Sequence, residues 1–244
     1  MSTKIGIGGV AVEVTAQPLT SEAFSRFGDV VANPRPHVHP SAHDGSLTAN
    51  AVSANQGTAI QYRDVSSIRN LYDQSPSGRS SPKMSIFRCA AREDIGIVGS
   101  GAAAAGRFAV RVMERHPFTT QTFTPVASSA SRYLVIVAPS LTPTGQDEGL
   151  VVPSRGHGLP GRGLPDVRNL EAFVAESHQA VTYGAGTWHA PMVVLGGKGT
   201  ALDFVVFQFA SGEAEEDCQL VDFEAGPDGG IHVLIPHGKI MANL

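Results

Sequence analysis

Apolar residues in this chain come in short runs, each ended by glycine, proline or a cluster of small polar residues. Runs of that length suit β-strands and are too short for most helices. Alternation and β-branched content place strands at 47–54, 57–63, 84–89, 108–116, 132–138, 178–183, 189–195, 202–209, 217–223 and 231–235. The run Arg132 to Ala138 has few polar residues, which predicts a central strand covered on both faces. Thr20 or Ser21 can cap a helical turn that places Phe24 and Phe27 at i, i+3. A longer helix is expected from Asp166 as N-cap through Glu176, because Val167, Leu170, Phe173 and Val174 share one helical face. The 27 glycines and 16 prolines supply many turns. The expectation is an all-β barrel or sandwich with one or two short helices. Segments 33–46, 73–83 and 139–165 read as loop insertions and 99–107 as a turn or linker, within one domain spanning 1–244.

Composition then removes function classes. Net charge is −4, with no basic excess to bind nucleic acid. No stretch approaches the ~20 apolar residues of a membrane span. The amino terminus lacks the apolar core and cleavage site of a signal peptide, so a cytoplasmic location is expected. Cys89 and Cys218 are too few for a disulfide scaffold and are expected to be reduced. His37, His39 and His43 fall in a proline-rich loop and His157 in another, where solvated side chains are the expectation.

Two clusters carry potential chemistry. The first continues the strand from Phe108. Strict alternation puts Phe108, Val110, Val112, Glu114 and His116 on one face, so an apolar face ends in a carboxylate and an imidazole. Arg115 points the other way, toward a barrel edge or a salt bridge between subunits. The second cluster runs from Tyr183 to Met192. Gly184 and Gly186 permit a tight turn, and His189 then opens a strand whose alternate residues are Pro191, Val193 and Leu195. Trp188 is the single tryptophan.

Side by side, these clusters resemble the two motifs of cupin barrels. The first cupin motif reads His-x-His, four residues, then Glu, and here that spacing carries Glu114, His116 and Gln121. The second contains Gly-x-x-His, here Gly186 to His189. The metal positions of cupins therefore hold Glu114, His116, Gln121 and His189. A neutral Gln in place of an anion lowers the field on a divalent cation. Wider wording is more specific. ERHPFTTQTF, RYLVIVAP, LEAFVAESHQAVTYGAGTWHAPM, LDFVVFQF and EDCQLV, preceded by LTSEAFSRFGDVV, NQGTAIQYRDV and SIFRC, resemble the ureidoglycolate lyase family, in its longer, fungal-like form.

That resemblance implies a cupin-like double-stranded β-helix, commonly a homodimer. It implies an enzyme that splits ureidoglycolate into glyoxylate and urea in allantoin and purine breakdown. It points to Glu114, Arg115, His116, Gln121, Trp188 and His189, with Asn55, Arg88 and Asp217-Cys218 also on family motifs. Asn55 and Asp217-Cys218 read equally well as turn and barrel-closing residues.

The reaction needs a base for the hydroxyl proton, an acid for the departing nitrogen and a cation or donor cluster for the carboxylate. The expected catalytic residues are His116, Glu114 and His189, with either imidazole as base and Glu114 orienting it or giving the proton to urea. Arg88 is expected to grip the carboxylate. Gln121 and Asn55 would bond the ureido group, and Trp188 would line the substrate site. A divalent metal, if bound, would sit on Glu114, His116, Gln121 and His189. Two competing expectations are a metal-dependent cupin isomerase or dioxygenase, and a non-catalytic cupin that binds a small carboxylate.

Overall fold

The computed structural model describes residues 2–8, 11–42, 47–100, 104–154, 158–225 and 229–236. His43 and His157 lie outside the described residues. In chain order the elements are β1 (Ser2–Gly8), β2 (Ala11–Thr15), β3 (Gln17–Pro18), α1 (Ser21–Phe24), β4 (Gly28–Val31), β5 (Ala51–Ala54), β6 (Ala59–Tyr62), β7 (Ser81–Ala90), β8 (Gly96–Val98), β9 (Ala105–Val110) and β10 (Val112–Arg115). They continue with β11 (Gln121–Val126), β12 (Arg132–Ala138), β13 (Glu171–Glu176), β14 (Ala180–Tyr183), β15 (Trp188–His189), β16 (Val193–Leu195), β17 (Ala201–Ala210), α2 (Ala214–Asp217), β18 (Gln219–Ala225) and β19 (Gly230–Pro236). The described chain is all-β, with two four-residue helices.

An eight-stranded sheet runs β1-β18-β10-β15-β12-β13-β3, with β16 also on β12. A five-stranded sheet, β4-β14-β11-β17-β7, covers one of its faces, and a four-stranded sheet, β2-β19-β9-β8, covers the other. Strand β12 explains this layering. Leu134, Ile136 and Ala138 enter the core shared with the four-stranded sheet, alongside Phe108, Ile231 and Val233. Tyr133, Val135 and Val137 enter the other core, alongside Phe123, Val181 and Phe204. With both faces covered, alternation of polarity is lost, which is why this run reads as continuously apolar. Thr20 caps α1 by accepting a bond from the Ala23 amide at 3.2 Å.

Three expectations change. Segment 166–176 is not a helix. Asp166 caps only the short 3-10 turn Val167–Asn169, and Glu171–Glu176 is then a strand paired with β12. Both of its faces are buried, so the apolar spacing that fits a helix also fits a fully covered strand. The run 108–116 is two strands belonging to different sheets, broken at exposed Arg111. Phe108 and Val110 share their core with Met113, not with Glu114. The extra residue shifts the phase, because side chains alternate with a period of two. Finally, 99–107 is not wholly a linker, since β9 begins at Ala105.

Candidate active site

The phase shift at Arg111 turns Met113 and Arg115 to one side of β10, and Glu114 and His116 to the other. On that second side lies the interior between the eight- and five-stranded sheets. Glu114 pairs directly with His189 across β10 and β15, and His189 pairs with Val137 of β12. From the facing sheet, Gln121 of β11 pairs with Tyr183 of β14. The Tyr183 ring lies flat on the His189 ring, 4.0 Å between centroids and 9° from parallel. His116 stands 5.5 Å from His189, ring to ring. Five side chains from both sheets thus close one end of this interior.

Their hydrogen bonds fix the chemistry. Nδ1–H of His116 donates to the Asp217 carbonyl at 2.6 Å, and Nδ1–H of His189 donates to the Thr187 carbonyl at 2.9 Å. A carbonyl only accepts, so each neutral ring carries its lone pair on Nε2. Both Nε2 atoms are buried and bonded to nothing else. Nε2 of His189 lies 3.6 Å from Glu114 Oε1, within ion-pair reach. Gln121 donates through Nε2 to Gln208 Oε1 at 2.6 Å, which leaves its own Oε1 unbonded. The Tyr183 hydroxyl is also unbonded.

Burial pushes the Glu114 carboxyl up, but the His189 contact and the two imidazoles outweigh it and hold the group at about 2. It is a carboxylate at neutral pH. Burial, reinforced by His189, pushes His116 below its ordinary value, so that ring is neutral at pH 7. Cys218 faces Glu114 Oε2 at 3.7 Å, and burial beside that carboxylate pushes its thiol up to about 12. It is therefore no nucleophile at neutral pH.

These residues fit a divalent cation. Glu114, His116 and His189 each offer a ligand atom, all within 4.8 Å of one another. Both imidazoles are oriented by backbone carbonyls, the outer-shell arrangement that fixes a metal-binding tautomer. Among the described residues this is the single such group of His, Cys, Asp and Glu.

Other expected site residues lie elsewhere. Arg88 is on exposed β7 and bonds Asp203 with both carboxylate oxygens at 3.0 Å. Asp203 stands five residues along β17 from Gln208, which pairs with Gln121. At the rise of a strand that is about 17 Å. Asn55 occupies the exposed tip of the β5–β6 hairpin with φ +48°, so it serves as the turn residue. Trp188 is fully buried on the face of β15 opposite His189, in the other core.

Arg115 is neither an edge residue nor a partner in a surface salt bridge. It is fully buried. Its guanidinium donates to the carbonyls of Gly161 at 2.8 Å, Arg162 at 2.9 Å and Gly163 at 3.3 Å, and to Gln219 Oε1 at 2.9 Å. It lies 4.4 Å over the Trp188 ring, whose Nε1–H donates to the Gly163 carbonyl at 3.0 Å. Arg115 and Trp188 together fasten the long 139–165 loop beside the site. Tyr183 is the residue that sequence reasoning passed over. Its signal was available: it directly precedes the Gly-Ala-Gly turn, in the same alternation as Val181.

Comparison of the sequence with known proteins finds a family match and several relatives. The family model for ureidoglycolate lyase matches residues 11–227. A ureidoglycolate lyase of Schizosaccharomyces pombe is 36% identical over 217 residues, covering 88% of this chain and 94% of that protein. One from Saccharomyces cerevisiae is 32% identical over 230 residues, covering 92% and 100%. One from Burkholderia cepacia is 30% identical, covering 84% of each.

Proposed function

This chain belongs to the ureidoglycolate lyase family, and we propose that it eliminates urea from ureidoglycolate to give glyoxylate at the Glu114, His116 and His189 cluster. The observation that carries this reading is the pair of buried imidazoles with free Nε2 lone pairs beside an ionised carboxylate.

The central carbon of ureidoglycolate carries a hydroxyl, a carboxylate and a urea nitrogen. Nε2 of His116, neutral because of its burial, takes the hydroxyl proton. The O–H electron pair becomes the second bond of the aldehyde carbonyl, and the carbon–nitrogen bond breaks toward nitrogen. That nitrogen takes up the proton that Nε2 of His116 has just received, and the Glu114 carboxylate beside both rings compensates the transient imidazolium. Glu114 itself is ionised and is not the acid, so its role is to orient and compensate. Acid–base assistance of this kind contributes ~10²–10⁴ in rate. Gln121 Oε1 and the Tyr183 hydroxyl remain for the ureido group.

No free guanidinium reaches this cluster among the described residues: Arg88 is remote and Arg115 is occupied by carbonyls. A divalent ion on Glu114, His116 and His189 would supply the missing positive charge and polarise the hydroxyl oxygen, in place of proton transfer by the imidazoles whose Nε2 lone pairs it would occupy. The test is to offer purified protein racemic ureidoglycolate, before and after chelation and with added divalent metal, and to assay glyoxylate and urea. Absence of both products in every arm rejects the reading. No observation favours the isomerase, dioxygenase or non-catalytic alternatives.

The layered sheets around this cluster support a single cupin-like domain of the double-stranded β-helix type. The sheet edge at β7 is the surface we assign to a homodimer. Met84 is 73% exposed and Ile86 74%, beside Val205 and Phe207 of the adjoining strand. An uncovered apolar edge strand invites a partner. Light scattering that shows a monomer for wild type, or an unchanged dimer for Ile86→Asp, would remove that assignment. No helix is long and apolar enough to cross a membrane. Two free cysteines suit a reducing cytoplasm.

A further inference from the structure

A cleft of about 450 Å³ opens between the outward face of the five-stranded sheet at Thr182 and the end of β12 at Ala138, with Ser140 just after it. Thr182 marks this side, because its neighbours Val181 and Tyr183 point into the core. The α1–β4 turn contributes Arg26 and Asp29, the segment between β6 and β7 contributes Arg69, and the long loop contributes Ser140 and Pro160. The volume lies in the range of small-molecule sites.

We propose that this cleft is a second binding site, which takes a small monocarboxylate bearing ureido or amide N–H groups. Arg69 supplies the cation. Its backbone is tied to β11 in both directions, its N–H donating to Thr120 Oγ1 at 3.0 Å and its carbonyl accepting from the Thr120 amide at 3.2 Å. Its guanidinium has no ion-pair or hydrogen-bond partner among the described residues. Arg26 is already matched: it pairs with Glu171 and lies 4.5 Å over the Phe27 ring. One exposed positive charge at the cleft therefore has no protein partner among the described residues, in a fork suited to a carboxylate.

Acceptors stand in the same walls. Asp29 uses Oδ2 for the Ser66 hydroxyl at 3.2 Å and the Ser67 amide at 2.8 Å, and Oδ1 remains open. Ser140 Oγ is buried and bonded to nothing. A dianion would be repelled by Asp29, and a purely apolar ligand would strand Arg69. A monoanion that also donates N–H bonds satisfies both. The cleft shares Thr187 with the active site, since that residue lines the cleft while its carbonyl holds Nδ1–H of His189.

The experiment is calorimetric titration of the full chain with N-carbamoylglycine. This acid has the carboxylate and ureido group but lacks the hydroxyl whose proton the elimination removes. Binding to wild type is expected, weakened about tenfold or more in Arg69→Met through loss of the charged hydrogen bonds. Arg69→Lys should recover part of it. Ser140→Val should weaken binding independently, and Glu114→Gln should leave the cleft component intact. No binding to wild type, or isotherms for Arg69→Met and Ser140→Val that match wild type, overturns the proposal. Loss in Glu114→Gln alone assigns the acid to the barrel interior and also overturns it. Turnover of ureidoglycolate reports separately on the lyase reading. Failure there with Arg69-dependent binding retained removes the lyase and keeps the cleft, and the converse result does the reverse.

Discussion

Two buried polar regions meet at His116, and they are built on opposite principles. In the network behind it, every acceptor is used. The Asp217 carboxylate takes the Tyr72 hydroxyl at 2.7 Å, the Ser211 amide at 2.7 Å, the Ser211 hydroxyl at 2.9 Å and the Gly212 amide at 2.8 Å. Glu216 takes the amide and hydroxyl of Ser77 at 2.8 and 2.5 Å. In the cluster in front, the two Nε2 atoms, Gln121 Oε1 and the Tyr183 hydroxyl take nothing. An unmade buried hydrogen bond costs ~1–3 kcal/mol. The front region accepts that cost several times over, whereas the rear region avoids it. The difference separates a site, which holds its bonding capacity for a ligand, from the scaffold that aims it.

The contrast breaks if both regions respond alike to substitution. The largest expected effect is on rate. His116→Gln should lower kcat for ureidoglycolate by ~10²–10⁴ while shifting the melting temperature little. Steady-state glyoxylate release and a thermal melt on the same sample check both halves. Next comes Asp217→Ala, which strips four donors of their acceptor and should cost about 3 kcal/mol of stability. Denaturant unfolding reads that cost. If Asp217→Ala costs nothing, the rear region is not scaffold. Tyr72→Phe removes one of those bonds and should cost about 1 kcal/mol, with kcat close to wild type.

Acid should sharpen the contrast further. The folded His116 resists protonation below the ordinary 6.5 of imidazole. The unfolded chain then binds the proton that the folded one refuses, so stability falls as pH drops below that value. Glu114 acts in the same sense at lower pH. Its folded value of about 2 lies below the ordinary 4.5, so its contribution is complete above 4.5 and is lost on the way down to 2. Melting curves should therefore decline gently from pH 7 to 5 and more steeply below 4.5. Arg115→Met bears on substrate affinity more than on rate. Releasing three loop carbonyls should raise KM more than it lowers kcat, because Arg115 fastens the loop and touches no reacting atom.

Much of this was legible in the chain. Alternation found β12 and its central place, and the resemblance to the cupin motifs grouped Glu114, His116, Gln121 and His189, which the fold brings to one end of one interior. The failures have physical causes. Val167, Leu170, Phe173 and Val174 suit a helix face, but pairing of 171–176 with β12 decides for a strand. Arg111 carries no sign that it interrupts a strand, and the interruption decides which neighbours Glu114 has. Arg88 offered the right chemistry in the wrong place, since nothing local says that β7 pairs with the far reach of β17. Arg115 was misread because its partners are backbone carbonyls some 46 residues away, and backbone leaves no composition to read.

Trp188 gives the molecule an optical property. It is the chain's one tryptophan, so all indole emission comes from a ring sealed beneath Arg115 and bonded to the Gly163 carbonyl. Any detachment of the 158–164 segment would break that bond and admit water to the ring, moving the emission to longer wavelength. The protein thus carries an internal fluorophore, placed next to His189 in sequence and on the reverse of the same strand, whose colour reports whether the loop beside the site is fastened.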